Sequence, residues 1–133
     1  MRIFESQSGV VIKIGQNDKE NDELIKTANQ DYTWCHLDNQ PSPHAVIEST
    51  SPDKESINDA LQLVKFYSKA KSANSVNLIY AKIRDVKRVD PRKHPGLVTL
   101  SKAPVKKSIK TNFGALRKMG CIQWKQSHDF YCL

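Results

Sequence analysis

The chain has 133 residues, 21 Lys and Arg against 14 Asp and Glu, a net charge of +7, and 38% hydrophobic residues. That is one domain's worth of sequence with a single core. A mean hydropathy of −0.58, with no run near the about 18 apolar residues of a bilayer-crossing helix, argues against a membrane span. Cys35, Cys121 and Cys132 are odd in number and form no Cys-x-x-Cys pair, so reduced thiols are expected rather than a disulfide frame or zinc ribbon.

Met1-Arg2-Ile3-Phe4-Glu5 lacks the basic-then-apolar layout of a secretory signal, which makes the cytoplasm the expected location and the nucleus the alternative. The charge is unevenly placed. Residues 1–60 hold 5 Lys/Arg against 11 Asp/Glu, whereas residues 61–133 hold 16 against 3. Clustered cations displace counterions from phosphates, so a polyanion partner is one reading and a solvated basic surface is the other.

In chain order, Arg2-Ile3-Phe4-Glu5 and Gly9-Val10-Val11-Ile12-Lys13-Ile14 are strand-like runs around Ser6-Gln7-Ser8, which predicts a leading hairpin. Asn17 or Asp18 is placed to cap a short helix over 19–28, acidic in its first turn. Two apolar, alternating runs, 32–38 and 44–48, flank Asn39-Gln40-Pro41-Ser42-Pro43 and predict a second hairpin. At a period of two, Trp34 and His36 share a face, and His44 returns across from them.

Ile57, Ala60, Leu61, Val64 and Tyr67 recur at helical spacing after Ser51-Pro52-Asp53, predicting a long helix over 52–71 with Pro52 in its first turn. Lys65 and Lys69 lie off that stripe, and with Lys71 they gather charge at the helix end, where the dipole favours it. Val76-Asn77-Leu78-Ile79-Tyr80 reads as a central strand. Lys82, Arg84, Lys87 and Arg88 then interleave with Ile83 and Val86 as a ribbon with one cationic face, and Arg92 and Lys93 continue the basic run through a loop. Pro95-Gly96 turns the chain into a strand at Leu97-Val98-Thr99-Leu100.

Beyond Ser101, Val105, Ile109, Phe113, Leu116 and Met119 keep helical spacing after Pro104, so a basic amphipathic helix ended by Gly120 is predicted, packed on the sheet in the favoured reading, with contact to nucleic acid or to an anionic membrane surface as the alternatives. Cys121-Ile122-Gln123-Trp124 and Phe130-Tyr131-Cys132-Leu133 read as a closing strand or a tail. The expected architecture is α+β: a mixed or antiparallel sheet against one long amphipathic helix and one or two further helices, with a core over 1–100 and residues 101–133 packed on the same domain.

Several of these residues carry a resemblance. Asp31, Trp34-Cys35-His36 and Ser42-Pro43-His44-Ala45-Val46 resemble the Asp-x-Trp-Phe-His and Gly/Ser-x-His-Val motifs of the NFACT-R domain. Gly15-Gln16-Asn17 with Glu20-Asn21-Asp22 and Leu24 is similar to that family's Gly-Lys/Arg-Asn/Asp-x-x-x-Asn-Asp-x-Leu. Ala60, Tyr67-Ser68-Lys69-Ala70, Val86-Lys87-Arg88 and Pro95-Gly96-Leu97-Val98 follow in the family's order, and the start of the chain looks closest to its small stand-alone members.

The resemblance implies RNA binding in ribosome quality control and marks Asn21, Asp22, Asp31, Trp34, His36, His44, Tyr67 and Ser68 as a motif site. The family's charged coiled-coil extension has no counterpart in residues 101–133.

Three functional readings follow. The first is a nonenzymatic module for structured RNA such as tRNA or rRNA, with DNA as sub-alternative. Its phosphates would be held by Lys65, Lys69, Lys71, Lys82, Arg84, Lys87, Arg88, Arg92 and Lys93, and its bases would stack on Trp34, Tyr67, Tyr80 or His36. The second is a nucleic-acid-processing enzyme using Asp31, His36 and His44; no P-loop, His-Glu-x-x-His or Gly-x-Ser-x-Gly supports it. The third is a protein-interaction module that docks on a ribosome-bound complex. No cofactor or metal is expected. Against all three stands the plainer reading that Trp34 fills the core and both histidines satisfy hairpin hydrogen bonds.

Overall fold

The computed structural model describes residues 1–122 of the chain. Its frame is an antiparallel sheet of β1 (Arg2–Glu5), β2 (Val11–Ile14), β3 (Thr33–Leu37), β4 (Ala45–Ile47), β5 (Ser75–Lys82) and β8 (Val105–Lys110), in the spatial order β1-β2-β4-β3-β5-β8. β6 (Val86–Arg88) and β7 (Val98–Leu100) form a separate antiparallel ribbon. Three helices accompany them: α1 (Asp18–Thr27), α2 (Lys54–Phe66) and α3 (Phe113–Lys118). The α+β expectation holds, and the sheet is antiparallel throughout.

Alternation along the strands divides the core between two faces of the sheet. Ile12, Ile14, Cys35, Leu37, Ala45, Ile47 and Leu78 point to one face and pack with Ala60, Leu61, Leu63 and Val64 of α2. Trp34, Val46 and Ile79 point to the other, where Leu24 and Ile25 of α1 and Val86 of the ribbon cover them.

Two expected elements differ. The long helix is shorter than 52–71: Asp53 is its N-cap, leaving Pro52 outside, and Tyr67 its C-cap. Ser68 helps to end it, because its hydroxyl donates to the Lys65 carbonyl at 2.8 Å and accepts from Ala70 N at 3.1 Å, diverting the chain into turns.

The helix expected over 105–119 is a strand followed by a short helix. A spacing of four from Val105 to Ile109 satisfies a period of two as well as one of 3.6, and pairing with the backbone of β5, with Val76 opposite Ile109, decides for the strand. Asn112 then caps α3 by accepting from Ala115 N at 3.0 Å. The closing segment expected over 121–124 and 130–133 lies outside the described residues from Gln123 onward.

Candidate nucleic-acid interface

The expected meeting of Trp34, His36 and His44 occurs. Trp34 and His36, two apart on β3, stack with centroids 5.6 Å apart and an interplanar angle of 13°. His44, just before β4, lies edge-on to His36 at 4.7 Å. Trp34 is 1% exposed and cannot offer a face to a base. Its indole N–H instead donates to His44 Nδ1 at 3.0 Å.

That bond assigns the proton on His44. An indole N–H only donates, so Nδ1 accepts and Nε2 carries the hydrogen of the neutral ring. His44 also engages the Gly96 backbone. On His36 the pattern is reversed: Nδ1 lies 2.6 Å from the Leu37 carbonyl, which only accepts, leaving Nε2 as a lone-pair acceptor.

Burial pushes His44 down from 6.5 to about 3, with the neighbouring His36 second and opposing contributions from the Gly96 backbone and Asp22. Burial also lowers His36, against the Leu37 hydrogen bond. An unfolded His44 would take its proton near 6.5 and the folded one only near 3. The unfolded state therefore binds more protons across that window, and this contribution to stability is lost as pH falls through it. At about pH 5, below the ordinary histidine range, nitrogen NMR of the rings should find His44 neutral with hydrogen on Nε2. A cationic ring there would overturn the assignment.

α1 braces this cluster. Asn21, 6% exposed, accepts the His44 backbone N–H on Oδ1 at 3.1 Å, while Gly15 N donates to the His44 carbonyl at 3.1 Å. Gly15 is required by close approach, since a Cβ there would lie 2.0 Å from Asn21 Oδ1. Next to it, Asp22 receives Arg88 Nε and NH2 at 2.7 and 2.8 Å. That pairing, ahead of the other contributions, holds the Asp22 carboxyl below its usual range. The 90–97 loop closes over α1 through Gly96, whose φ of +87° suits glycine and whose added Cβ would meet the Asp18 carbonyl at 3.2 Å.

Between that loop and the β3–β4 turn lies a cleft of about 580 Å³. His36 and His44 line it, with Asn39, Gln40 and Ser42 on one wall and Lys93, His94 and Leu97 on the other. It combines a neutral polar floor with one cation, Lys93, and one acid, Asp18, at its edges. Asn39, Gln40 and His94 were not singled out from sequence; each is a polar loop residue with no periodic pattern to mark it.

The remaining motif residues do not converge here. Asp31 pairs with Arg84 instead, so Asp31, His36 and His44 are not assembled as an acid-base set. Tyr67 and Ser68 belong to the α2 side of the sheet, where Tyr67 stacks near Phe4 at 5.9 Å with the Arg2 guanidinium 4.4 Å over its ring.

The basic residues are likewise dispersed. Lys65 is a correction: it is 1% exposed, and its ammonium donates to Thr111 Oγ1 and the Lys71 carbonyl at 2.7 and 2.9 Å rather than facing solvent. Lys71 lies 4.2 Å over the Phe66 ring. Lys82 donates to the carbonyls of Asp31 and Thr50, and Lys87 to that of Arg84. Arg84 and Arg88 pair with Asp31 and Asp22, so the charge halves of the sequence are partly folded onto each other. Lys69, Arg92 and Lys93 are exposed and, among the described residues, have no acidic partner within ion-pair distance.

Residues 1–101 match the family described as NFACT protein RNA binding domain. The chain belongs to that family. Over 100 residues it is 39% identical to the Rqc2 homolog RqcH of Bacillus subtilis (strain 168), covering 74% of this chain and 17% of that protein. Over 100 residues it is 31% identical to the Rqc2 homolog RqcH of Streptococcus suis (strain 05ZYH33), covering 74% and 18%. The chain thus spans less than a fifth of these curated relatives.

A solved structure of the C-terminal part of the fibronectin/fibrinogen-binding protein from Streptococcus suis superposes with a TM-score of 0.80 at 25% identity. It covers 88% of this chain and 47% of that one. No helix among the described residues is long and apolar enough to cross a membrane.

Proposed function

We propose that this NFACT RNA-binding domain is a nonenzymatic reader of structured RNA, tRNA in particular, acting in ribosome-associated quality control in the cytoplasm. The observation that carries the reading is the cleft over His36, where a neutral imidazole presents an acceptor beside the exposed Lys93, with the exposed Arg92 preceding it on the same loop. A lone-pair nitrogen next to a lysine suits a ribose, whose 2′-hydroxyl donates to the nitrogen while its phosphate meets the ammonium. Membership of an RNA-binding domain family and the likeness to two Rqc2 homologs support the same partner class.

The test is a salt titration of affinity for tRNA, single-stranded RNA and duplex DNA in parallel. The proposal expects tRNA to keep its advantage at physiological salt. Replacing Arg92 and Lys93 together by alanine should flatten the salt slope by about 0.7 to 0.9 per lost phosphate contact. His36→Ala should leave that slope alone and shrink the preference for RNA over DNA. Equal, steeply salt-sensitive binding to all three would reduce the surface to a generic cationic patch and overturn the reading.

A further inference from the structure

A second and larger cavity, about 790 Å³, opens on the α2 side of the sheet between the end of α2, the turn over 71–74, the end of β8 and α3. Lys65, Lys71 and Lys110 line it, and among the described residues no acid does. Lys65 is the unusual one. Its buried ammonium has two neutral acceptors, Thr111 Oγ1 and the Lys71 carbonyl, and no carboxylate within ion-pair distance among the described residues.

Desolvation lowers its affinity for the proton. A cation kept in a wall without a counter-charge is costly, and its field is felt where the dielectric is low, in the cavity beside it. Neutral polar side chains such as Gln62, Asn74 and Thr111 share the lining with an aromatic and apolar part: Phe66, with Lys71 lying 4.2 Å over its ring, Leu116, and Phe113, which is 57% exposed.

Cations without acids select an anion, and the aromatic wall selects an anion that carries a flat ring. The volume is that of a small-molecule site. We propose that this cavity binds a nucleotide, with its phosphate at Lys71 and Lys110 above the buried charge of Lys65 and its base against Phe113. The site lies away from the His36 cleft and does not depend on what that cleft binds. The nucleotide comes either free or as an unpaired residue of an RNA strand.

The arms of the experiment separate those sources. Adenosine monophosphate, adenosine, inorganic phosphate and a five-residue oligoadenylate are titrated into the full, isotope-labelled chain, and backbone NMR signals are followed. The expected result is saturable shifts at Lys71, Thr111 and Phe113 with the monophosphate or the oligonucleotide. The monophosphate binding marks a free-nucleotide site, and the oligonucleotide binding alone marks an RNA-strand site. Phe113→Ala and Lys110→Glu alter exposed side chains and should each weaken that binding about tenfold, the scale of one stacked base. His36→Ala should leave it unchanged.

Lys65→Met should abolish binding, and because that side chain is buried the two exposed variants decide the matter should it fail to fold. Absence of shifts at these residues would overturn the proposal. So would inorganic phosphate or adenosine binding as well as the monophosphate, since either ring or phosphate would then be dispensable.

Discussion

Trp34→Ala is expected to lower the free energy of unfolding by about 3 to 5 kcal/mol, the range for deleting a large buried aromatic. The ring is 1% exposed and lies in the α1-side core with Leu24, Ile25, Val46 and Ile79. Its loss opens a void that the neighbouring side chains cannot fill, and it also strips His44 Nδ1 of the indole N–H that donates to it. An unmet buried acceptor adds its own desolvation cost. Since domains of this size are stable by only about 5 to 15 kcal/mol, much of the fold's margin should vanish. Trp34→Phe, which keeps the bulk of the ring and drops the N–H, should cost less. Urea titrations followed by far-ultraviolet dichroism measure both, and a loss under about 1 kcal/mol for the alanine variant would be too small for the removal of a packed indole.

Gly15→Ala should be the second most damaging single change, at about 1 to 3 kcal/mol for overpacking. The added methyl would lie 2.0 Å from Asn21 Oδ1 and 2.9 Å from Asn21 N. The side chain can swing away only by giving up the His44 N–H it accepts at 3.1 Å, and the backbone contact then still has to be relieved by moving α1 against the sheet. Asn21→Ala removes the hydrogen bond without the clash. If the two residues act through this contact, the double variant is less destabilised than the sum of the single ones, because the second change relieves part of what the first imposed. Strict additivity would separate Gly15 from the His44 brace.

The reach of the His36 cleft and of the nucleotide cavity can be compared through these variants. Loosening α1 moves the backbone of His44, which lines the cleft, whereas the cavity beside Phe113 is built from α2, β8 and α3. Asn21→Ala should therefore disturb tRNA binding and spare any nucleotide binding.

Much of the fold can be read from local pattern. Alternation around Asn39-Gln40-Pro41-Ser42-Pro43 identified the β3–β4 hairpin, and a period of two placed Trp34, His36 and His44 together, because side-chain direction in a strand is a local property. The apolar stripe from Ile57 to Val64 likewise marked the buried face of α2. Family motifs marked Gly15 and Asn21 without saying why; the reason is a close approach between β2 and α1.

What pattern could not decide was where long-range pairing or charge would win. Val105 and Ile109 fit helix and strand equally, and only the open backbone of β5 selected β8. Lys65 reads as a solvated residue at a helix end, yet α2 turns it inward to Thr111, 46 residues away in sequence. The acidic first half and basic second half of the sequence meet in the fold, where Asp22 pairs with Arg88 and Asp31 with Arg84. Periodicity reports which face a residue occupies within its own element. Which element covers that face, and which charge lies across from it, depends on the packing of segments far apart in the chain, and that was decided only by the tertiary structure.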